Sequence, residues 1–299
     1  MKRLHLTEII NIIVLLFALN SCIQEVTPDF SDFSNSLVVN SLLVPDSLMK
    51  IQLSESSRSD KIDIFPSYNN ADVRIFNAEN SVRLVSQGNG TYMSTVYPKQ
   101  GSDYFLRITT SSGKQISAYT RIPDKPLITI TPFTSQNLVQ VNISDNSKEE
   151  NYYWIGMKSF SISSNMMYYE TYVSSDFIWF DDFNRTKGED LLGDMSFSYH
   201  FYARLPDFKF NGSQVSFTLP HYWSNPEDYE YLPYRVYLYI INADEHLDKY
   251  MKSALIQYEL GVIGDMPVFH TPIDMYSNIE NGKGIFGSYT ISQFDITTP

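Results

Sequence analysis

Three glycines near the end of the chain, Gly282, Gly284 and Gly287 in NGKGIFG, spell the G-x-G-x-x-G spacing of loops that cradle phosphates. Glycine suits that chemistry because a backbone without Cβ turns sharply and approaches an anion closely. A dinucleotide loop also needs a strand before it, a helix opening at it, and an acidic residue about twenty positions on. Here the preceding MPVFHTPIDMYSNIE carries two prolines and no β run, and the following IFGSYTIS alternates like a strand. A P-loop is excluded by the spacing and by the lack of Gly-Lys-Ser/Thr. The three glycines therefore read as a structural turn that feeds a terminal strand.

Other candidates for chemistry are weaker. His200, His221, His246 and His270 never fall at H-x-x-x-H spacing, and the chain has a single cysteine, so neither a metal nor a cofactor is expected. The acidic stretch 181–194, DDFNRTKGEDLLGD, spaces Asp182, Asn184 and Thr186 like a calcium loop. Lys187 stands where that loop needs glycine, however, and the closing glutamate is missing. No G-x-S-x-G elbow and no H-E-x-x-H occurs. Acid pairs such as Asp181/Asp182 and Glu149/Glu150 leave a hydrolase as a remote alternative, since the separation that glycoside hydrolysis needs is set by the fold.

Aromatic residues make up 15% of the chain, enough for either a ligand platform or an aromatic core. Tyr152, Tyr153 and Trp154, then Tyr168, Tyr169, Tyr172, Trp179 and Phe180, alternate in a way that favours the core. PHYWSNPEDYEYLP (220–233) reads instead as a loop, and its Tyr222, Trp223 and Tyr229 are the candidate ligand-binding residues for a sugar or a peptide.

The one cysteine has a different chemistry. Lys2-Arg3 precedes the apolar run 9–19, and Leu19-Asn-Ser-Cys22 follows it. This describes a secretory leader ending in a lipobox, with Cys22 the site of acylation by palmitate-class chains. Three such chains, at about 0.8 kcal/mol per buried methylene, make a lasting membrane anchor. An ordinary leader beside an incidental cysteine is the plainer alternative. Cleavage would leave roughly 278 of the 299 residues, room for two domains, and no thiol for disulfides. The formal charge of −12, without a basic cluster, excludes nucleic acid and attraction to anionic headgroups.

The elements that must carry these residues are mostly strands. Residues 23–36 are polar and acidic, a tether. From Leu37 short alternating runs recur about every ten residues: 37–44, 48–54, 72–77, 81–86, 91–97, 103–110 and 114–122. That spacing predicts an Ig-like or transthyretin-like β-sandwich over 37–124. IPDKP (122–126) breaks the pattern, and a second β-rich domain over 125–299 is expected. Its strands fall at 127–133, 138–144, 151–160, 166–180, 195–205, 213–219 and 234–241, the last apolar enough to be a buried strand. Leu247, Tyr250, Met251, Ala254, Leu255 and Tyr258 then recur at three and four, an amphipathic helix near 244–259 ending at Gly261.

Together the lipobox, GSDYFLRITTSSGKQISAYTRIPD (101–124), LPDFKFNGSQVSFTL (205–219), DEHLDKYMKS (244–253) and YSNIENGKGIFGSY (276–289) resemble the Bacteroidota lipoprotein family called domain of unknown function 4249. Its SNI-x-NG-x-G-x-FG pattern matches Asn278, Ile279, Asn281, Gly282, Gly284, Phe286 and Gly287. The resemblance supplies no catalytic residues. It implies a non-enzymatic, outer-membrane lipoprotein that partners a TonB-dependent receptor as an accessory or ligand-capturing protein, and Glu25 soon after Cys22 resembles the acidic surface-export signal of such lipoproteins. A glycan- or peptide-binding module acting alone is the alternative.

Overall fold

The structure is a computed structural model that describes residues 35–57, 65–133, 138–146, 149–161, 167–171, 177, 179–181, 202–220, 234–262 and 275–297. All of these belong to one unit, Asn35–Ser57 with Asp63–Pro299. The fold is mainly β, with fifteen strands and one long helix among the described residues. No helix among them is long and apolar enough to cross a membrane.

Seven strands build the first lobe: β1 (Leu37–Leu43), β2 (Lys50–Glu55), β3 (Ala71–Phe76), β4 (Ser81–Gly88), β5 (Thr91–Met93), β6 (Asp103–Thr110) and β7 (Gln115–Arg121). The alternation that predicted them sets their two faces. On β6, Tyr104, Leu106 and Ile108 point into the core while Phe105 and Arg107 point out. The 91–97 run stops as a strand at Met93 because Ser94 turns inward, accepting the Met49 amide at 3.0 Å and donating to the Val96 carbonyl at 2.7 Å.

The second lobe has a three-stranded sheet, β8 (Leu127–Phe133), β9 (Leu138–Ser144) and β13 (Gln214–Pro220). It shares a core with β10 (Tyr152–Ser161), β12 (Tyr202–Pro206) and β14 (Tyr234–Ala243), while β11 (Met167–Thr171) flanks β10. Phe208 and Lys209 sit in a 3-10 turn, Asp207–Lys209, that begins after Pro206 and is followed by the buried Phe210. The helix α1 (Glu245–Val262) covers the other face of the β10–β14 sheet, where Trp154 and Ala243 meet Leu247. It runs through Gly261 instead of ending there.

The last strand, β15 (Lys283–Asp295), joins the lobes. Its first half pairs parallel with β1, from Val38↔Lys283 to Leu43↔Ser288. Its second half pairs antiparallel with β14, from Ala243↔Tyr289 to Tyr237↔Asp295. One continuous strand path therefore runs β11-β10-β14-β15-β1-β2-β5-β4-β3-β6-β7.

Candidate functional site

The residues before β15 are stitched to the edge strand β7. The Asn278 side chain donates to the Tyr119 carbonyl at 3.0 Å and to the Phe286 carbonyl at 2.8 Å, and accepts the Phe286 amide at 3.0 Å. Glu280 forms a β-bridge with Ser117, and Asn281 donates to the Gln115 carbonyl at 3.2 Å. Asn281 takes a left-handed conformation, φ 59°, which asparagine tolerates better than most residues. Ile279 and Phe286 bury in the first-lobe core. The edge of β7 is thereby covered, which removes a site for stray strand pairing.

The three glycines serve this junction. A Cβ on Gly284 would lie 2.0 Å from the Val39 carbonyl oxygen, and its φ of +106° is one that L side chains rarely adopt. At Gly282 a Cβ would come within 2.9 Å of both Ile279 and the Leu37 carbonyl. At Gly287 it would meet Leu247 at 3.2 Å, where the strand passes under the start of α1. A phosphate loop would offer free amides at a helix N-terminus. Here the pattern leads into a strand, and the N-terminus of α1 is already occupied by a carboxylate.

That carboxylate is Asp244, the centre of a buried polar seam. It accepts the Leu247 amide at 2.9 Å as a helix cap, the Ser288 amide at 3.1 Å and the Thr120 hydroxyl at 2.6 Å. Ser288 in turn donates to the Arg121 carbonyl at 2.8 Å. One side chain thus ties β7, β15 and α1 together. Burial raises the Asp244 pKa above the ordinary carboxylate value, although three donors oppose the rise.

One turn along α1, Asp248 receives the Arg204 fork at 2.6 and 2.8 Å and the Trp154 indole N–H at 3.0 Å. Arg204 also pairs with Asp181 and lies 5.3 Å over the Tyr152 ring. Nearby, Arg121 bridges Glu149 at 2.7 Å and Asp103 at 3.3 Å. Asp207 accepts the Asn151 amide at 2.7 Å, and burial raises its pKa. These carboxylates are held by two or more donors or a cation apiece, an arrangement that fixes geometry more than it poises a group for proton transfer. Among the described residues no group of three His, Cys, Asp or Glu side chains is arranged to hold a metal.

The positions of the sequence candidates are uneven. Gly282, Gly284 and Gly287 come together at the junction. Cys22, Tyr222, Trp223 and Tyr229 lie outside the described residues, as does the acidic loop beyond Asp181. Tyr153 and Trp154 are fully buried, on opposite faces of β10, and Trp179 stacks on Phe210 at 6.0 Å within the second core. His246 bonds the Tyr276 hydroxyl through Nδ1 at 2.7 Å. Of the first acid pair Asp181 alone is described; Glu149 and Glu150 point to different partners, Arg121 and Tyr152. Arg204, Asp248 and Asn278 each make at least three side-chain hydrogen bonds, yet no local pattern marks Arg204 and Asp248 as partners 44 positions apart.

Comparison with known proteins adds one firm result. A family model described as "Domain of unknown function (DUF4249)" matches residues 23–295. None of the curated proteins matches the chain. A solved structure from Bacteroides uniformis, described as a "putative carbohydrate binding protein", covers 70% of this chain and 89% of its own at 13% identity. Its TM-score of 0.20 is too low to carry an argument about fold or ligand.

Proposed function

The chain belongs to the domain of unknown function 4249 family, and on that footing we propose that it is a lipid-anchored outer-membrane protein that acts without catalysis, as an accessory or ligand-capturing partner of a TonB-dependent transporter. The observation that carries the reading is the lipobox ending at Cys22, joined by the short acidic segment 23–36 to a body whose first strand begins at Leu37. Fourteen residues, at about 3.3–3.6 Å each when extended, let that body stand up to ~50 Å from its anchor. The commitment of the seam carboxylates to internal donors supports a binding or scaffolding role over a hydrolytic one.

Two measurements test this. Cys22→Ala should abolish incorporation of labelled palmitate and release the protein from membranes; retention in the membrane fraction would sink the lipid assignment. Affinity purification of the intact protein from native outer membranes should recover a β-barrel receptor, and recovery of the protein alone would remove the transporter.

A further inference from the structure

The hydrogens in the seam around Asp244 can be counted. Thr120 and Ser288 are fully buried and Asp244 nearly so, and each contact among them draws its hydrogen from the groups themselves. Asp244 Oδ1 accepts two amides, Leu247 at 2.9 Å and Ser288 at 3.1 Å. Its Oδ2 lies 2.6 Å from Thr120 Oγ1. Thr120 Oγ1 lies 2.9 Å from Ser288 Oγ, which lies 2.8 Å from the Arg121 carbonyl oxygen. The last three contacts join oxygen to oxygen at hydrogen-bond length. A hydroxyl carries one hydrogen and a carbonyl none. Three contacts need three hydrogens, and Thr120 and Ser288 hold two.

The chain closes when the carboxyl holds the third. Oδ2–H then donates to Thr120, Thr120 to Ser288, and Ser288 to the Arg121 carbonyl. Oδ1 acts as the carbonyl of the acid, with one lone pair for each amide. If Asp244 is ionised, two buried oxygens face each other at contact distance with no hydrogen of their own between them, which a low-dielectric interior penalises. We propose that Asp244 is the proton-binding site of a pH-sensitive seal: its proton completes the chain that ties β7, α1 and β15 together, and losing it loosens that junction. Burial favours the same neutral form for an independent reason. The alternative is an ionised carboxylate with the single Thr120 hydrogen shared between Asp244 and Ser288.

The charged and titratable groups around the carboxyl are Glu245, His246, Asp248 and Lys249 on α1, Tyr119 and Arg121 on β7, and Tyr276 ahead of β15. The end of β14, Ala243, and β15, through Gly287 and Ser288, bring no charge to it. Among these groups His246 is the one whose charge ordinarily changes between about pH 5 and 8. As a cation it favours the ionised carboxyl, so His246→Gln separates its titration from that of Asp244.

The unlipidated mature chain, isotope-labelled at its aspartate carboxyls, is titrated by NMR, the Asp244 signal being the one missing from Asp244→Asn. Its midpoint should lie above those of the exposed aspartates in the same spectrum, in wild type and in His246→Gln. Thr120→Val decides which way the bond points. Removing an acceptor of the carboxyl hydrogen should lower the midpoint. Removing a donor to a carboxylate would raise it, and a rise overturns the proposal. Asp244→Asn places an N–H where the acid has its O–H, so it should fold and satisfy the same contacts at every pH. Hydrogen exchange at the Leu247 and Ser288 amides, corrected for intrinsic base catalysis, should therefore be independent of pH in Asp244→Asn. In wild type, protection should fall by about fivefold or more as pH rises through the midpoint, the loss of one buried hydrogen bond. A midpoint at or below those of exposed aspartates, wild-type protection that ignores pH, or an Asp244→Asn chain that does not fold also overturns the proposal.

Discussion

Gly284→Ala isolates the role of the glycine pattern. A methyl group at this position would sit 2.0 Å from the Val39 carbonyl oxygen, on the strand that pairs with it in register. Real side chains do not approach so closely, so β1 and β15 must separate by about 1 Å or more to restore ordinary contact. A φ of +106° adds strain of about 1–3 kcal/mol for any residue with a Cβ. Separation loses one or two ladder hydrogen bonds at about 1 kcal/mol each. It also loosens Val39, fully buried in the first core, for roughly another 1 kcal/mol. The expected cost is about 3–6 kcal/mol, a large part of the 5–15 kcal/mol typical of a folded domain. Gly287→Ala is the internal control: its backbone is ordinary and its nearest neighbour, Leu247, is 3.2 Å away, so about 1 kcal/mol or less is expected. Gly282→Ala falls between them. Urea denaturation of the unlipidated chain measures the order, and hydrogen exchange at Val39 and Phe286 locates the damage. A Gly284→Ala protein within about 1 kcal/mol of wild type, or one less damaged than Gly287→Ala, would refute the reasoning. A phosphate loop predicts the opposite pattern, intact stability with a lost ligand.

Removing either partner of the buried Arg204–Asp248 pair should cost about 3–5 kcal/mol in chemical denaturation, whereas Arg204→Met with Asp248→Leu should cost less than either single change. The Asp244 carboxyl has its pKa raised by burial, so the native state binds its proton more readily than the unfolded chain does. The stability it contributes is therefore full below the unfolded value, near 3.9, and declines as pH rises through the native pKa. Asp244→Asn keeps a capping oxygen but cannot titrate; its denaturation midpoint relative to wild type should rise from about pH 4 upward, and Asp244→Ala should be less stable than Asp244→Asn by about 1 kcal/mol at pH 7. A fragment ending at residue 126 lacks Ile279, Phe286 and the strand beside β1, and it should show no cooperative unfolding transition in calorimetry.

The alternation of single strands was legible in the sequence because it depends on local chemistry. DYFLRITT has one apolar side and one polar side, and β6 presents them as its period requires. The apolar run at 234–241 marked a buried strand, and β14 buries Val236, Leu238 and Ile240 on one face while Tyr237, Tyr239 and Ile241 on the other are half-buried. The helix near 244–259 was visible for the same reason, its apolar residues recurring at three and four. What the period of two cannot carry is the identity of the neighbour. IFGSYTIS reads as a strand with an inside and an outside, but nothing in it announces that its first half joins β1, more than 200 positions earlier, in parallel. Three arginines illustrate the same limit. DVRIFN, SVRLVS and YFLRITT place Arg74, Arg83 and Arg107 on an outer face, yet only the register makes them one row. Gly261, a fair stop signal, was overridden because α1 continues for one further residue, to Val262.

The shared strand also bears on how an anchored protein carries load. On the proposed anchor, any pull between the membrane and the body enters at Leu37, the first residue of β1. β1 is held on one side by the antiparallel β2, from Leu37↔Glu55 to Asn40↔Gln52, and on the other by six register pairs with β15. Force along β1 is then in shear, so its ladder bonds are loaded together and not one after another. β15 continues without a break into the second lobe, where β14 holds its far half. The load thus passes through β15 to the sheet beneath α1 instead of stopping in the first lobe. Gly284 and Asn278 sit where that transfer occurs, one permitting β1 and β15 to close and the other tying the approach to β7. The glycine spacing that imitates a nucleotide loop is, on this geometry, the condition for a single strand to serve two cores.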